Sequence, residues 1–123
     1  MVQFVEMDTD VSLANQLHTE GGGPVVLINK FSVAEGDAAR LLAAWRTDAA
    51  HFKAQPGFIS TQLHRGIAGS NVFLNYAVWE SVEDFRRAFE QRAIQEAFGQ
   101  YPASAVASPH LFRKLAVPGF CVA

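Results

Sequence analysis

Along the chain the spacing of apolar and polar positions changes repeatedly, and each change marks an element. From Val25 to Val33 the run VVLINKFSV is rich in β-branched residues and reads as a strand. From about Gly36 to Ala54 the period lengthens. Leu41, Leu42, Trp45, Ala49 and Phe52 recur at three- and four-residue spacings, with Arg40, Thr47 and Lys53 elsewhere, as on an amphipathic helix. Gln55-Pro56-Gly57 stops it, because the residue before a proline is pushed out of helical geometry. Phe58 to Arg65 reads as a second strand and Gly66 to Ser70 as a turn of small residues. Asn71 to Glu80 (NVFLNYAVWE) is a third strand, and Ser81 with Asp84 three residues on has capping-box spacing before the next helix. That helix is expected from Val82 to about Phe98, with Phe85, Ala88 and Phe89 inward and a break near Gln91-Arg92. Tyr101-Pro102 and Pro109 bracket a loop, and His110 to Val117 is expected as a fourth strand.

The order β-α-β-β-α-β predicts an α+β, ferredoxin-like sheet with both helices on one face. That topology sets strand one antiparallel beside strand three. Pairing over their whole lengths places Val25 opposite Trp79, Val33 opposite Asn71 and Asn29 opposite Asn75. Side chains alternate between faces, so Phe73, Asn75, Ala77 and Trp79 share one side, while Val72, Leu74, Tyr76 and Val78 share the other. Directly opposed residues lie about 5 Å apart at Cβ, and a slip of one residue would send Asn29 to the wrong face. Two helices cover one face only, and the other carries apolar residues on strand three. A homodimer with its sheets packed together follows, each subunit keeping a pocket between sheet and helices.

Residues 1–24 read as an appendage. Val11, Leu13, Ala14 and Leu17 suit a short amphipathic turn, but Gly21-Gly22-Gly23-Pro24 interrupts anything regular, so a mobile or loosely docked arm is expected. The domain is placed at residues 25–117, with a tail at 118–123. A chain of 123 residues with net charge −2 and no basic block argues against nucleic acid or an anionic membrane as partner. No secretory signal and no apolar run near the roughly 20 residues of a membrane span are evident. The single Cys121 cannot form an intrachain disulfide, and a cytoplasmic setting is expected.

Candidate chemistry centres on strand three. A buried amide is costly unless hydrogen-bonded, so Asn75 either ties the fold together or meets a ligand. Trp79 taken alone suits core packing. Trp45, Phe73, Phe85, His64 and His110 are candidates to contact a ligand, the two histidines also as bases. His18, His51, His64 and His110 lack metal-ligand spacing, so no metal site is expected. No glycine-rich nucleotide fingerprint lies between a strand and a helix.

The segments LINKFSV from Leu27, QPGFISTQLHR from Gln55, NYAVWES from Asn75 and PHLF from Pro109 resemble the antibiotic biosynthesis monooxygenase family over about residues 25–117. The resemblance implies a dimeric α+β barrel. The trio Asn29, Asn75 and Trp79 is similar to that of the quinone-forming oxygenases of aromatic polyketide pathways. By that likeness these three would be catalytic in a cofactor-independent oxidation of an anthrone- or quinol-type polyphenol by O₂. The amides would bind oxyanions. The indole N–H would hold or protonate a peroxy intermediate while its ring stacks on substrate. Some relatives have tyrosine where this chain has Phe85. Two other functions stand beside it. One is heme binding with oxidative ring opening, for which Ala88 and Phe98 occupy the positions of that group's tryptophan and iron-ligating histidine. The other is a non-catalytic binder of aromatic ligands.

Overall fold

Five strands and four α-helices succeed one another in a computed structural model that describes residues 1–123. They are β1 (Gln3–Phe4), α1 (Leu13–Leu17), β2 (Val25–Ser32), α2 (Ala38–Lys53), β3 (Phe58–Arg65), β4 (Val72–Trp79), α3 (Val82–Phe89), α4 (Arg92–Ala97) and β5 (Val106–Phe112). The sheet order is β1-β5-β2-β4-β3, antiparallel throughout except for the β1–β5 pair. Without β1 this is the ferredoxin-like arrangement. The β2–β4 register is the expected one, with Val25 opposite Trp79 and Asn29 opposite Asn75.

One sheet face packs on the helices. Leu27 and Phe31 of β2, with Phe73, Ala77 and Trp79 of β4, meet Leu41, Ala44, Phe85, Ala88 and Ile94 in a single buried cluster. Burying a large apolar side chain of this kind contributes about 1.5–3 kcal/mol, so this face determines which way the strands turn. Ser81 caps α3 by accepting from the Asp84 amide at 3.1 Å. The expected break falls at Gln91, whose extended backbone (ψ 137°) separates α3 from α4 and whose carbonyl accepts from Ile94 and Gln95 to start the new helix. At Gly57 (φ +85°) the turn into β3 runs so close to Asp84 that an added Cβ would lie 2.3 Å from its carboxyl carbon.

Two expectations are corrected. The fourth strand is Val106–Phe112, not His110–Val117. Pro109, taken for a loop residue, lies inside it opposite Asn29. Its missing N–H is tolerated because alternate residues of β5 turn their polar backbone away from β2. Ala107 C=O accepts from Val5 on that side at 2.9 Å, and two residues further β1 has ended.

Nor is the N-terminal segment a loose arm. Val2, Leu13 and Leu17 are buried in the common core. Gln3 and Val5 donate to the carbonyls of Ala105 and Ala107, each at 2.9 Å, adding β1 to the sheet. The Gln16 side chain stands in for a further strand residue, donating to Leu111 O at 3.0 Å and accepting from Leu111 N at 2.9 Å. A strand of two residues has no period to detect, so the sequence pattern left it out.

The opposite sheet face has no helix over it. Ile59, Val72, Leu74, Tyr76 and Phe112 are between 36% and 49% exposed there and elsewhere along the outer strand positions. No helix is long and apolar enough to cross a membrane.

Candidate active site

A cavity lies between the inner sheet face and the helices, walled by Asn29, Thr61, Asn75, Ala77 and Trp79 from the sheet and by Trp45, Asp48, Ala49, Phe52, Phe85 and Phe89 from the helices. Phe4 of β1 and Phe98 also border it, edge to face at 5.2 Å from one another. Its narrow interior is about 40 Å³, and the whole recess, mouth included, about 560 Å³. Most of the wall is aromatic or aliphatic, which suits a flat apolar ligand with a few polar anchors.

The anchors are identifiable because the protein leaves them unpaired. Asn29 Oδ1, Asp48 Oδ1 and Trp79 Nε1 are buried without a hydrogen-bond partner. Each such group costs on the order of 1–3 kcal/mol if left unpaired, and three of the four such side-chain atoms in the molecule belong to residues of this wall, the fourth being His110 Nδ1. Asn75 differs. Its Oδ1 accepts from Thr61 Oγ1 at 2.5 Å, which orients the amide and leaves Nδ2 as a donor. Asn29 and Asn75 are direct cross-strand neighbours, so their amides meet on the same wall.

Trp79 is 1% exposed, and its ring is boxed in by Phe58 (centroids 5.4 Å, 88°), Phe85 (5.6 Å, 64°) and Phe52 (5.9 Å, 77°). These phenyls pack around the indole, whose Nε1 is left without a hydrogen-bond partner. Trp45 and Phe85 line the cavity as expected. Phe73 does not: it is buried on the same face, below Asn75, with the Arg65 guanidinium 5.0 Å over its ring. His64 and His110 are also displaced from the site. His64 pairs with Leu74 on the uncovered face, its Nδ1 3.3 Å from that residue's carbonyl. His110 pairs with Ile28, with Nε2 3.0 Å from Gln16 Nε2 and its ring edge-on to Phe112. Each follows a residue of inward parity by one position, so strand alternation turns it out.

Two polar residues of the wall are absent from the sequence reading. Thr61 shares the cavity with Phe58 although it lies three positions on, an odd spacing that places residues of a regular strand on opposite faces. A bulge between Phe58 and Ser60 resets the alternation. Asp48 was passed over among the polar residues of α2, yet it falls three residues after Trp45 and four after Ala44, on the inward stripe. That position is the signal that would have found it. It is 6% exposed, and its Oδ2 accepts from Tyr101 OH at 3.0 Å. Burial pushes its carboxyl up from 3.8 to about 7, with the Tyr101 hydrogen bond pulling the other way. Burial and the adjacent carboxylate in turn raise the Tyr101 hydroxyl above its ordinary range. The salt bridges of the molecule all lie elsewhere, between near neighbours on its helices or at the start of α2.

Fold and site together define a ferredoxin-like α+β domain enclosing an aromatic-walled cavity with amide, indole and carboxyl groups. Residues 24–100 match the antibiotic biosynthesis monooxygenase family, and the chain belongs to that family. It is 37% identical over 67 residues to deoxynogalonate monooxygenase of Streptomyces nogalater, a match covering 54% of this chain and 56% of that relative, so it spans little more than half of the relative's length. The crystal structure of SnoaB, a cofactor-independent oxygenase from Streptomyces nogalater, superposes with a TM-score of 0.71 at 29% identity, covering 79% of this chain and 98% of that one. A structure from Shewanella loihica PV-4 is similar at 30% identity and a TM-score of 0.68, over 80% of this chain and 100% of the other.

Proposed function

We propose that this protein is a cofactor-independent monooxygenase that oxidises an anthrone- or quinol-type polyphenol to a quinone with O₂. The observation that carries the reading is the meeting of Asn29, Asn75 and Trp79 on one aromatic-walled cavity, with Trp79 Nε1 and Asn29 Oδ1 unpartnered. An enzyme without a redox group needs a substrate that supplies its own electrons. An anthrone does so once its methylene has lost a proton, because the resulting anion spreads onto the ring oxygen and can pass one electron to O₂. Radical and superoxide then join at that carbon. Protonation of the peroxide, loss of the second methylene proton and O–O cleavage give the ketone and one water, so CH₂ and O₂ become C=O and H₂O.

In this scheme the protein favours the anion and excludes water. The Asn75 Nδ2–H donates to the ring oxyanion, with the Asn29 amide beside it. The Trp79 Nε1–H donates to the peroxide oxygen. Buried in low dielectric and held by their surroundings, these groups need little reorganisation as charge develops. A tricycle does not fit the narrow interior, so admission requires bordering side chains to part, Phe4 among them. Phe4 is 44% exposed and is the one least held. The functional unit is a homodimer in which the uncovered faces, with Leu74 and Tyr76 at their centre, bury one another.

Heme does not suit this wall. No imidazole, thiol or thioether lines it, and Phe98, expected from the resemblance at the position of an iron ligand, is a phenyl that cannot ligate iron. The test is chelator-treated protein mixed with a dihydroxyanthrone in air, following quinone absorbance and O₂ uptake. Catalysis is expected to survive metal removal and to drop on the order of 10²-fold in Asn75→Ala and Trp79→Phe. Full activity in both variants, or a requirement for added flavin or iron, refutes the proposal. Ligand binding without O₂ uptake makes the protein a binder instead.

A further inference from the structure

The scheme above needs a base for the methylene proton, and both histidines considered for that task lie off the cavity. We propose that Asp48, a residue of the cavity wall, is the general base of the oxidation, its unpartnered Oδ1 taking the methylene proton of the bound polyphenol. The inference rests on the oxygenase reading and adds to it the group that starts the reaction.

Three observations support the assignment. Among the side chains that line the cavity, Asp48 is the only ionisable one. What faces it from β2, β3, β4 and α3 is neutral: the amides of Asn29 and Asn75, the Thr61 hydroxyl and phenyl rings. The one other titratable group in contact is Tyr101, from the segment after α4. Second, the two carboxyl oxygens are differentiated. Oδ2 is held by Tyr101 OH at 3.0 Å, which fixes the plane of the group, while Oδ1 is buried with no partner. A base aimed by a second residue and free on its other atom is the arrangement proton transfer requires. Third, no cation compensates the burial, so the carboxyl exchanges its proton near neutral pH, where a base for a weakly acidic C–H is most effective. A carboxylate serving the fold alone would be expected to have its second oxygen satisfied as well.

The step balances. The C–H bond breaks with its electron pair left on the ring system, and the proton goes to Oδ1. After O₂ has added, the same proton passes to the peroxide oxygen. Asp48 then takes the second methylene proton as the C–H electrons form the C=O and the O–O bond breaks. The departing hydroxide collects that proton as water, and Asp48 returns to its starting state. Tyr101 is a positioning residue, acting through Asp48.

The experiment separates proton removal from oxygen chemistry. Purified protein and a dihydroxyanthrone are incubated without O₂ in D₂O, and deuterium entry at the methylene carbon is followed by NMR. Wild type should accelerate exchange over buffer, Asp48→Asn should lose about 10²-fold of that acceleration, and Asp48→Glu should restore part of it. In air, quinone formation should fall in parallel, and the acidic limb of kcat/KM should vanish in Asp48→Asn. Tyr101→Phe should keep that limb but move it to higher pH, since it removes a hydrogen bond to the charged form. An infrared titration of the carboxyl band follows the same shift without substrate, even where Asp48→Asn folds poorly. Wild-type exchange and oxidation in Asp48→Asn, with Asn75→Ala still impaired, overturns the role of Asp48 and leaves the oxygenase standing. Wild-type protein that consumes no O₂ with the anthrone removes both.

Discussion

Replacing Asp48 by asparagine keeps the shape of the side chain and removes its charge, which turns the cost of burying that charge into a measurable stability. In the unfolded chain the carboxyl titrates near 3.8, and in the folded protein at about 7. The folded state therefore holds the proton more tightly. The stabilisation of the protonated form is fully present below about pH 4 and is lost as pH rises toward 7. At about 1.36 kcal/mol per pH unit, the difference between 3.8 and about 7 gives an upper figure of about 4 kcal/mol lost by wild type across that window. The asparagine variant has no such dependence. The hydrogen bond from Tyr101 to the charged form is already contained in that difference. Asp48→Asn is thus expected to be up to about 4 kcal/mol more stable than wild type at pH 8 and within about 1 kcal/mol of it at pH 4.5. Urea unfolding followed by the fluorescence of Trp45 and Trp79, at one protein concentration and both pH values, measures this as a shift in midpoint at unchanged slope. A variant destabilised equally at both pH values would mean that the carboxylate is compensated in the fold, and the reasoning about its burial would be wrong. A stabilising substitution that also abolishes activity is the expected signature of a group retained for chemistry.

Three further outcomes follow from the geometry. Thr61→Val removes the hydroxyl that orients Asn75, so kcat should fall about tenfold, with a stability loss of up to about 1–3 kcal/mol from the unpaired Asn75 Oδ1, and Thr61→Ser should recover both. Gly57→Ala forces a side chain into left-handed backbone and onto the Asp84 carboxyl, and should cost more than about 2 kcal/mol in thermal unfolding. Leu74→Lys and Tyr76→Lys place charge at the centre of the uncovered face, and sedimentation should show dimer giving way to monomer. A dimer unchanged in both variants would place the interface elsewhere.

The β2–β4 register was legible because each strand has one face that must be buried, and only one pairing keeps Leu27, Phe31, Phe73, Ala77 and Trp79 on the same side. The break at Gln91 and the cap at Ser81 were legible because both are local. β5 was misread because Pro109, a breaker in isolation, is accommodated by a neighbour strand that stops two residues earlier. The N-terminal segment was misread because its attachment rests on two ladder residues and one glutamine side chain, none of which has a sequence period.

The sequence by itself determined the order of the four main strands, the pairing of Asn29 with Asn75 and the presence of Trp79 beside them, because alternation and burial of one face select that pairing. Only the tertiary structure decided what those groups face. A one-residue bulge brings Thr61 to the wall, three phenyls close around the indole, and a turn of α2 brings a carboxylate into the aromatic interior beside Tyr101. These are contacts between elements distant in the chain, set by packing, and no local pattern encodes them.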